Sequence, residues 1–168
     1  MDPALALPTA LPVELPPGED ELPDDDGEPL ESDKHRQQMA LSIETLQLAL
    51  AEHEDIYIGG NLGLYFSETQ VKKNDVRAPD VMIVLDTIRR ARKSWVVWGE
   101  NGRTPNVILE LLSASTEAQA RGVKMRIYSN ILRVPEYYFF DPWDGYLESY
   151  SLERASNWEL CEIVEGHA

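Results

Sequence analysis

The chain has very little cysteine. One residue, Cys161, in 168 excludes an internal disulfide and a cysteine-rich zinc site. It also has no basic residue before Lys34, which argues against the positively charged start of a secretory signal. No apolar run approaches the ~18 residues of a membrane span. These absences lead to the expectation of a cytoplasmic protein with no membrane partner. What is abundant is acid: the net charge is −15, with 30 acidic against 15 basic side chains. Residues 1–33 hold 11 of the acidic groups and none of the basic ones, leaving a net of −4 on the remainder. The imbalance therefore belongs mostly to the N-terminal stretch, and a local basic face on the body stays compatible with it.

Apolar content of 43% in a chain of this length supports one globular domain with a sizeable core. Residues 1–22, rich in Pro, Leu, Asp and Glu, are expected to form a flexible acidic tail, since such a composition buries little surface. Residues 23–168 are expected to form the single domain. Met39, Ile43, Leu46 and Leu50 fall at helical spacing, with Ser32 as the N-cap. Ile56-Tyr57-Ile58 and Leu62 to Phe66 read as one strand broken at Gly59-Gly60-Asn61. Val81 to Leu85 and Val107 to Leu112 read as buried strands, separated by a basic connector with Arg89, Arg90, Arg92 and Lys93. Thr116 and Gln119 make a capping box for a second helix whose apolar stripe is Val123, Ile127 and Ile131. Glu136 to Phe140 is a further strand, and residues 145–152 and 157–164 read as a hairpin. The fold class is α/β with a mixed sheet.

Two carboxylates stand out because they interrupt apolar strands. Asp80 follows Pro79 and opens Val81 to Leu85; Glu110 lies inside Val107 to Leu112. A charge in such a place is costly unless paired or bound to a cation. If the two strands are neighbours, the pair makes a hard, oxygen-rich site suited to Mg²⁺ (or Mn²⁺), with the Leu111 backbone carbonyl as a third donor. A lysine nearby, such as Lys124, would position a water and offset phosphate charge. Taken singly, each residue has a plainer reading: a strand-end carboxylate in water, a solvated helix lysine, and in His35 a packing or hydrogen-bonding residue. Trp95, Trp98, Tyr137 and Tyr138 read as core rather than as base-stacking platforms.

The order and spacing of several short pieces carry a resemblance. They are Asp26-Gly27-Glu28-Pro29-Leu30-Glu31 with His35, Ala78-Pro79-Asp80-Val81, Trp98-Gly99-Glu100, Leu109-Glu110-Leu111-Leu112-Ser113 with Ser115-Thr116, Lys124 and Tyr128, Val134-Pro135-Glu136-Tyr137, and Phe140-Asp141-Pro142. From about Pro23 to Trp158 the chain resembles the Uma-two family of restriction-endonuclease-like proteins, within the PD-(D/E)XK nuclease superfamily. The resemblance implies an αβββαβ core with a mixed central sheet, extended here by a C-terminal β-hairpin. It implies a metal-dependent endonuclease that hydrolyses DNA, with Asp80 and Glu110 on the metal, Glu31 supporting it from the first helix, and Lys124 in the catalytic lysine role. It implies a homodimer or higher oligomer, because cutting both strands with so small a fold usually needs two sites. The superfamily lysine normally sits two residues after the Glu; that position is Leu112 here, and the lysine has moved to the following helix. Ala120 stands where the family often has an Asp. That departure favours the alternative reading, a catalytically lapsed nuclease-fold module that binds nucleic acid or a partner. Arg89, Arg90, Arg92 and Arg121 are the candidates for phosphate-backbone contacts.

Overall fold

The computed structural model describes residues 16–22, 32–68, 75–113, 117–152 and 158–164. Helix α1 (Asp33–Ala49) starts where expected: Ser32 Oγ accepts from the His35 backbone N–H at 3.1 Å, a side-chain N-cap. Among the described residues nine strands follow: β1 (Tyr57–Gly59), β2 (Leu64–Tyr65), β3 (Val76–Arg77), β4 (Val81–Val84), β5 (Trp95–Val96), β6 (Val107–Leu111), β7 (Glu136–Phe140), β8 (Leu147–Leu152) and β9 (Trp158–Val164). Between β6 and β7 runs a second helical stretch, α2, made of α-helical Glu117–Gln119, π-helical Ala120–Lys124 and α-helical Met125–Asn130.

The main sheet has six strands in the order β1-β4-β6-β7-β8-β9. All neighbours are antiparallel except β6 and β7, which run parallel and are joined by α2 as a crossover. With α1 and α2, the strands β1, β4, β6 and β7 form the expected αβββαβ core, and β8–β9 are the added hairpin. A small second sheet, β3-β2-β5, lies beside it. The core gathers Met82, Val84, Ile108, Leu112, Tyr128, Tyr137 and Phe139 between sheet and helix, with Trp95 and Leu64 closing one end.

Two local readings change. Tyr57–Gly59 and Leu64–Tyr65 are not one interrupted strand but members of different sheets. The reason lies at Gly60: a Cβ there would stand 1.8 Å from the Asp80 carbonyl oxygen. The glycine thus lets two backbones meet, and the Asn61 N–H donates to the Pro79 carbonyl at 2.9 Å. In α2, Val123 and Ile131 are 52% and 60% exposed instead of forming the buried stripe. The π turn adds a residue to the helical repeat and rotates the inward face onto Ala120, Tyr128 and Ser129. The capping residue expected at Thr116 lies outside the described residues.

Residues 16–22 lie against the body, with Leu22 only 2% exposed beside Tyr65 and Val96; residues 1–15 of the expected tail lie outside the described residues. Among the described residues no helix is long and apolar enough to cross a membrane.

Candidate active site

The register of β4 on β6 pairs Val81 with Leu109. One step further along the ladder, Asp80 stands opposite Glu110, so both side chains leave the same face of the sheet. Each carboxylate oxygen has a donor. Asp80 Oδ1 lies 3.0 Å from His35 Nε2, and Oδ2 accepts from the Leu111 backbone N–H at 2.7 Å. Glu110 Oε1 accepts from the Tyr128 hydroxyl at 3.1 Å, and Oε2 from Lys124 Nζ at 3.1 Å. Lys124 Nζ also donates to the Ala78 carbonyl at 3.3 Å, bridging the approach to β4 and the middle of β6.

The structure therefore brings Asp80, Glu110, Leu111, Lys124 and His35 together. Glu31 lies outside the described residues. Among the described residues no group of three or more His, Cys, Asp or Glu side chains is spaced to hold a metal. The third oxygen expected from the sequence is the Leu111 carbonyl. In an extended strand a residue's N–H and C=O project to the same side, and the N–H already reaches Asp80.

Burial sets the electrostatics. Glu110 is fully enclosed, which pushes its carboxyl up to about 7; Lys124 and the Tyr128 hydroxyl pull against this, while the Asp80 charge across the strands adds to it. The same enclosure, with Glu110 beside it, holds the Tyr128 phenol protonated far above its usual range. The result is a pair of facing carboxylates with one lysine, on Glu110, to offset their charge. Hard oxygen donors in that condition fit a divalent cation.

Two contributors are named by the sequence without their part in the site. Tyr128 sits one α-helical turn beyond Lys124, so both reach Glu110; the i, i+4 spacing from a functional lysine is the available signal. Gly60 packs against the Asp80 backbone, and no local pattern marks its partner. The arginines are a correction. Arg92 is 1% exposed, grips Glu100 with Nε and Nη2 at 2.6 and 3.0 Å, and stacks over Tyr57 and Trp95. Arg89 donates to the Leu50 and Ile56 carbonyls. Arg121 is bound by Glu148 and Glu117. These three hold the fold. Arg90 lies half exposed between Glu19 and Glu100, and Arg89 is exposed as well. Trp95 and Tyr137 are core, as expected.

The Uma2 family, described as "Putative restriction endonuclease", matches residues 9–168. A crystal structure from Anabaena variabilis ATCC 29413, described as a "putative nuclease belonging to DUF820", superposes with a TM-score of 0.54 at 13% identity, covering 79% of this chain and 69% of that one. At that identity the likeness speaks for the fold. No curated protein matches the chain. Since the family match spans nearly the whole sequence, the chain belongs to the Uma2 family of restriction-endonuclease-like proteins.

Proposed function

We propose that the chain is a metal-dependent endonuclease that hydrolyses DNA phosphodiester bonds at the Asp80–Glu110 site. The observation that carries this reading is the facing pair of carboxylates, one fully buried and only partly neutralised, with a lysine on one oxygen of the buried Glu110. A Mg²⁺ (or Mn²⁺) ion held by Asp80, Glu110 and the Leu111 carbonyl, with Glu31 assisting, would supply charge neutralisation at the phosphate and acidify a water. The residues' own tasks follow from their partners. His35 and the Leu111 amide fix the Asp80 carboxylate in one orientation. The Tyr128 hydroxyl does the same for Glu110. Lys124 Nζ, now shared between Glu110 and the Ala78 carbonyl, has donors to turn towards an incoming phosphate oxygen or to orient a water. A cytoplasmic homodimer would place two such sites on the two strands of a duplex.

One observation favours the second reading, a lapsed nuclease-fold binding module: all four carboxylate oxygens already have partners within the chain. Each oxygen nevertheless keeps a further lone pair, so donor occupancy does not bar a cation. Cleavage decides between them. Supercoiled plasmid incubated with the purified protein should be nicked or linearised in Mg²⁺ or Mn²⁺, not in EDTA, and not by Asp80→Asn. Equal cleavage by Asp80→Asn, or none by the wild type in either metal, would sink the nuclease reading.

A further inference from the structure

Glu19 is held like a bound anion. Its Oε1 accepts from the backbone N–H groups of Lys93 and Ser94 at 2.5 and 3.4 Å, and its Oε2 pairs with Arg90 at 3.3 Å. Burial alone would raise this carboxyl, but the two amides and Arg90 outweigh it and keep it below the usual range. The segment that carries Glu19 is pinned on both sides. The Trp98 indole N–H donates to the Pro17 carbonyl at 3.2 Å, and Leu22 is buried beside Tyr65 and Val96. A self-capped turn, Glu19–Glu21, presents the carboxylate between these anchors.

We infer that Arg90 and the consecutive amides of Lys93 and Ser94 form a subsite for a nucleic-acid backbone phosphate, and that residues 16–22 fill it in cis with the Glu19 carboxylate. Successive backbone N–H groups beside a guanidinium are a general oxyanion receptor, and a carboxylate is a fair stand-in for a phosphate there. The position suits the ligand. A groove of about 510 Å³ is lined by Gly60, which packs against the Asp80 backbone, and by Arg92 and Lys93. Lys93 thus belongs both to this groove and to the subsite. The Arg90 side chain is 47% exposed and keeps Glu100 as a second partner at 2.8 Å, whereas the Arg92 side chain is 1% exposed. Charge fits as well: the stretch that supplies the plug carries 11 acidic and no basic residues up to Asp33. The inference rests on the nucleic-acid reading of the site and adds to it a cis-acting restraint on substrate binding.

The test uses the full-length chain in EDTA, so that binding is read without cleavage. Anisotropy of a fluorescein-labelled duplex of about 20 base pairs, long enough to reach both the carboxylates and the subsite, is followed over a salt series for wild type, Glu19→Gln, and Glu19→Gln with Arg90→Ala. One freed phosphate contact should steepen the slope of log affinity against log salt by ~0.9 and tighten binding at low salt about tenfold. The Arg90→Ala double variant should return to the wild-type slope. Leu22→Ser, which loosens the segment from its apolar anchor, should tighten binding in the same direction. Unchanged affinity and slope in both Glu19→Gln and Leu22→Ser would overturn the inference, and so would failure of all four proteins to bind the duplex. Plasmid cleavage reads the active site separately. Tighter binding without cleavage keeps the subsite and removes the nuclease, and cleavage without tightening does the reverse.

Discussion

Replacing Glu110 by glutamine should stabilise the metal-free protein at alkaline pH while destroying its cation site. Burial, helped by the Asp80 charge, lifts the Glu110 carboxyl from 4.5 to about 7 against the pull of Lys124 and Tyr128. The folded state thus holds this proton more tightly than the unfolded chain does. The group's contribution is full below pH 4.5 and is lost as pH rises to about 7 and beyond. Between about pH 5 and pH 8.5 the loss amounts to about 2–3 kcal/mol. The substituted amide would be neutral throughout and would keep an oxygen for Tyr128 and Lys124. The stability difference, variant minus wild type, should therefore grow by that amount across the range. Urea unfolding in EDTA, followed by fluorescence of the tryptophans including the buried Trp95, measures both curves. Parallel pH profiles for the two proteins would refute the assignment of the raised carboxyl to Glu110.

Other perturbations follow from the same contacts. Tyr128→Phe leaves a buried Glu110 oxygen without its donor and should cost about 1–3 kcal/mol in urea unfolding, with metal affinity shifted to higher pH. Gly60→Ala forces a Cβ against the Asp80 carbonyl; the backbone must move, so stability should fall by about 3 kcal/mol and Mn²⁺ affinity with it. Arg92→Lys loses the two-pronged grip on Glu100 and the stacking on Tyr57 and Trp95, and should lower stability by about 2 kcal/mol without altering the salt dependence of DNA binding, which denaturation and anisotropy can each check.

What can be read from the sequence is whatever a strand or a helix declares locally. Asp80 and Glu110 are legible because charges break two apolar runs, and their cross-strand pairing needs only that those runs be neighbours. The crossover between β6 and β7 is legible from the capping residues and Pro135 around a helical stretch. The role of Lys124 comes through resemblance, since a lysine on a helix declares nothing by itself. The buried face of α2 departs from the expected stripe because a π turn shifts the helical period, and no composition rule marks where that extra residue falls. The separation of β1 from β2 depends on Gly60 meeting Asp80, a contact between segments about 20 residues apart. The arginines mislead for a related reason: their partners are Glu100, Glu148 and distant carbonyls, which only the folded chain brings near. Within the N-terminal acidic stretch, the sequence shows charge but not that Glu19 finds two amides 74 and 75 residues away.

The central claim is that Asp80 and Glu110 are one cation site. Calorimetric titration of Mn²⁺ into wild type, Asp80→Ala and Glu110→Gln at about pH 8, where Glu110 is largely ionised, tests it most directly. Saturable binding by the wild type is expected, with protons released as the remaining protonated Glu110 gives up its share, and loss of that binding in both variants. Binding that persists undiminished in either variant, or no binding by the folded wild type, would contradict it.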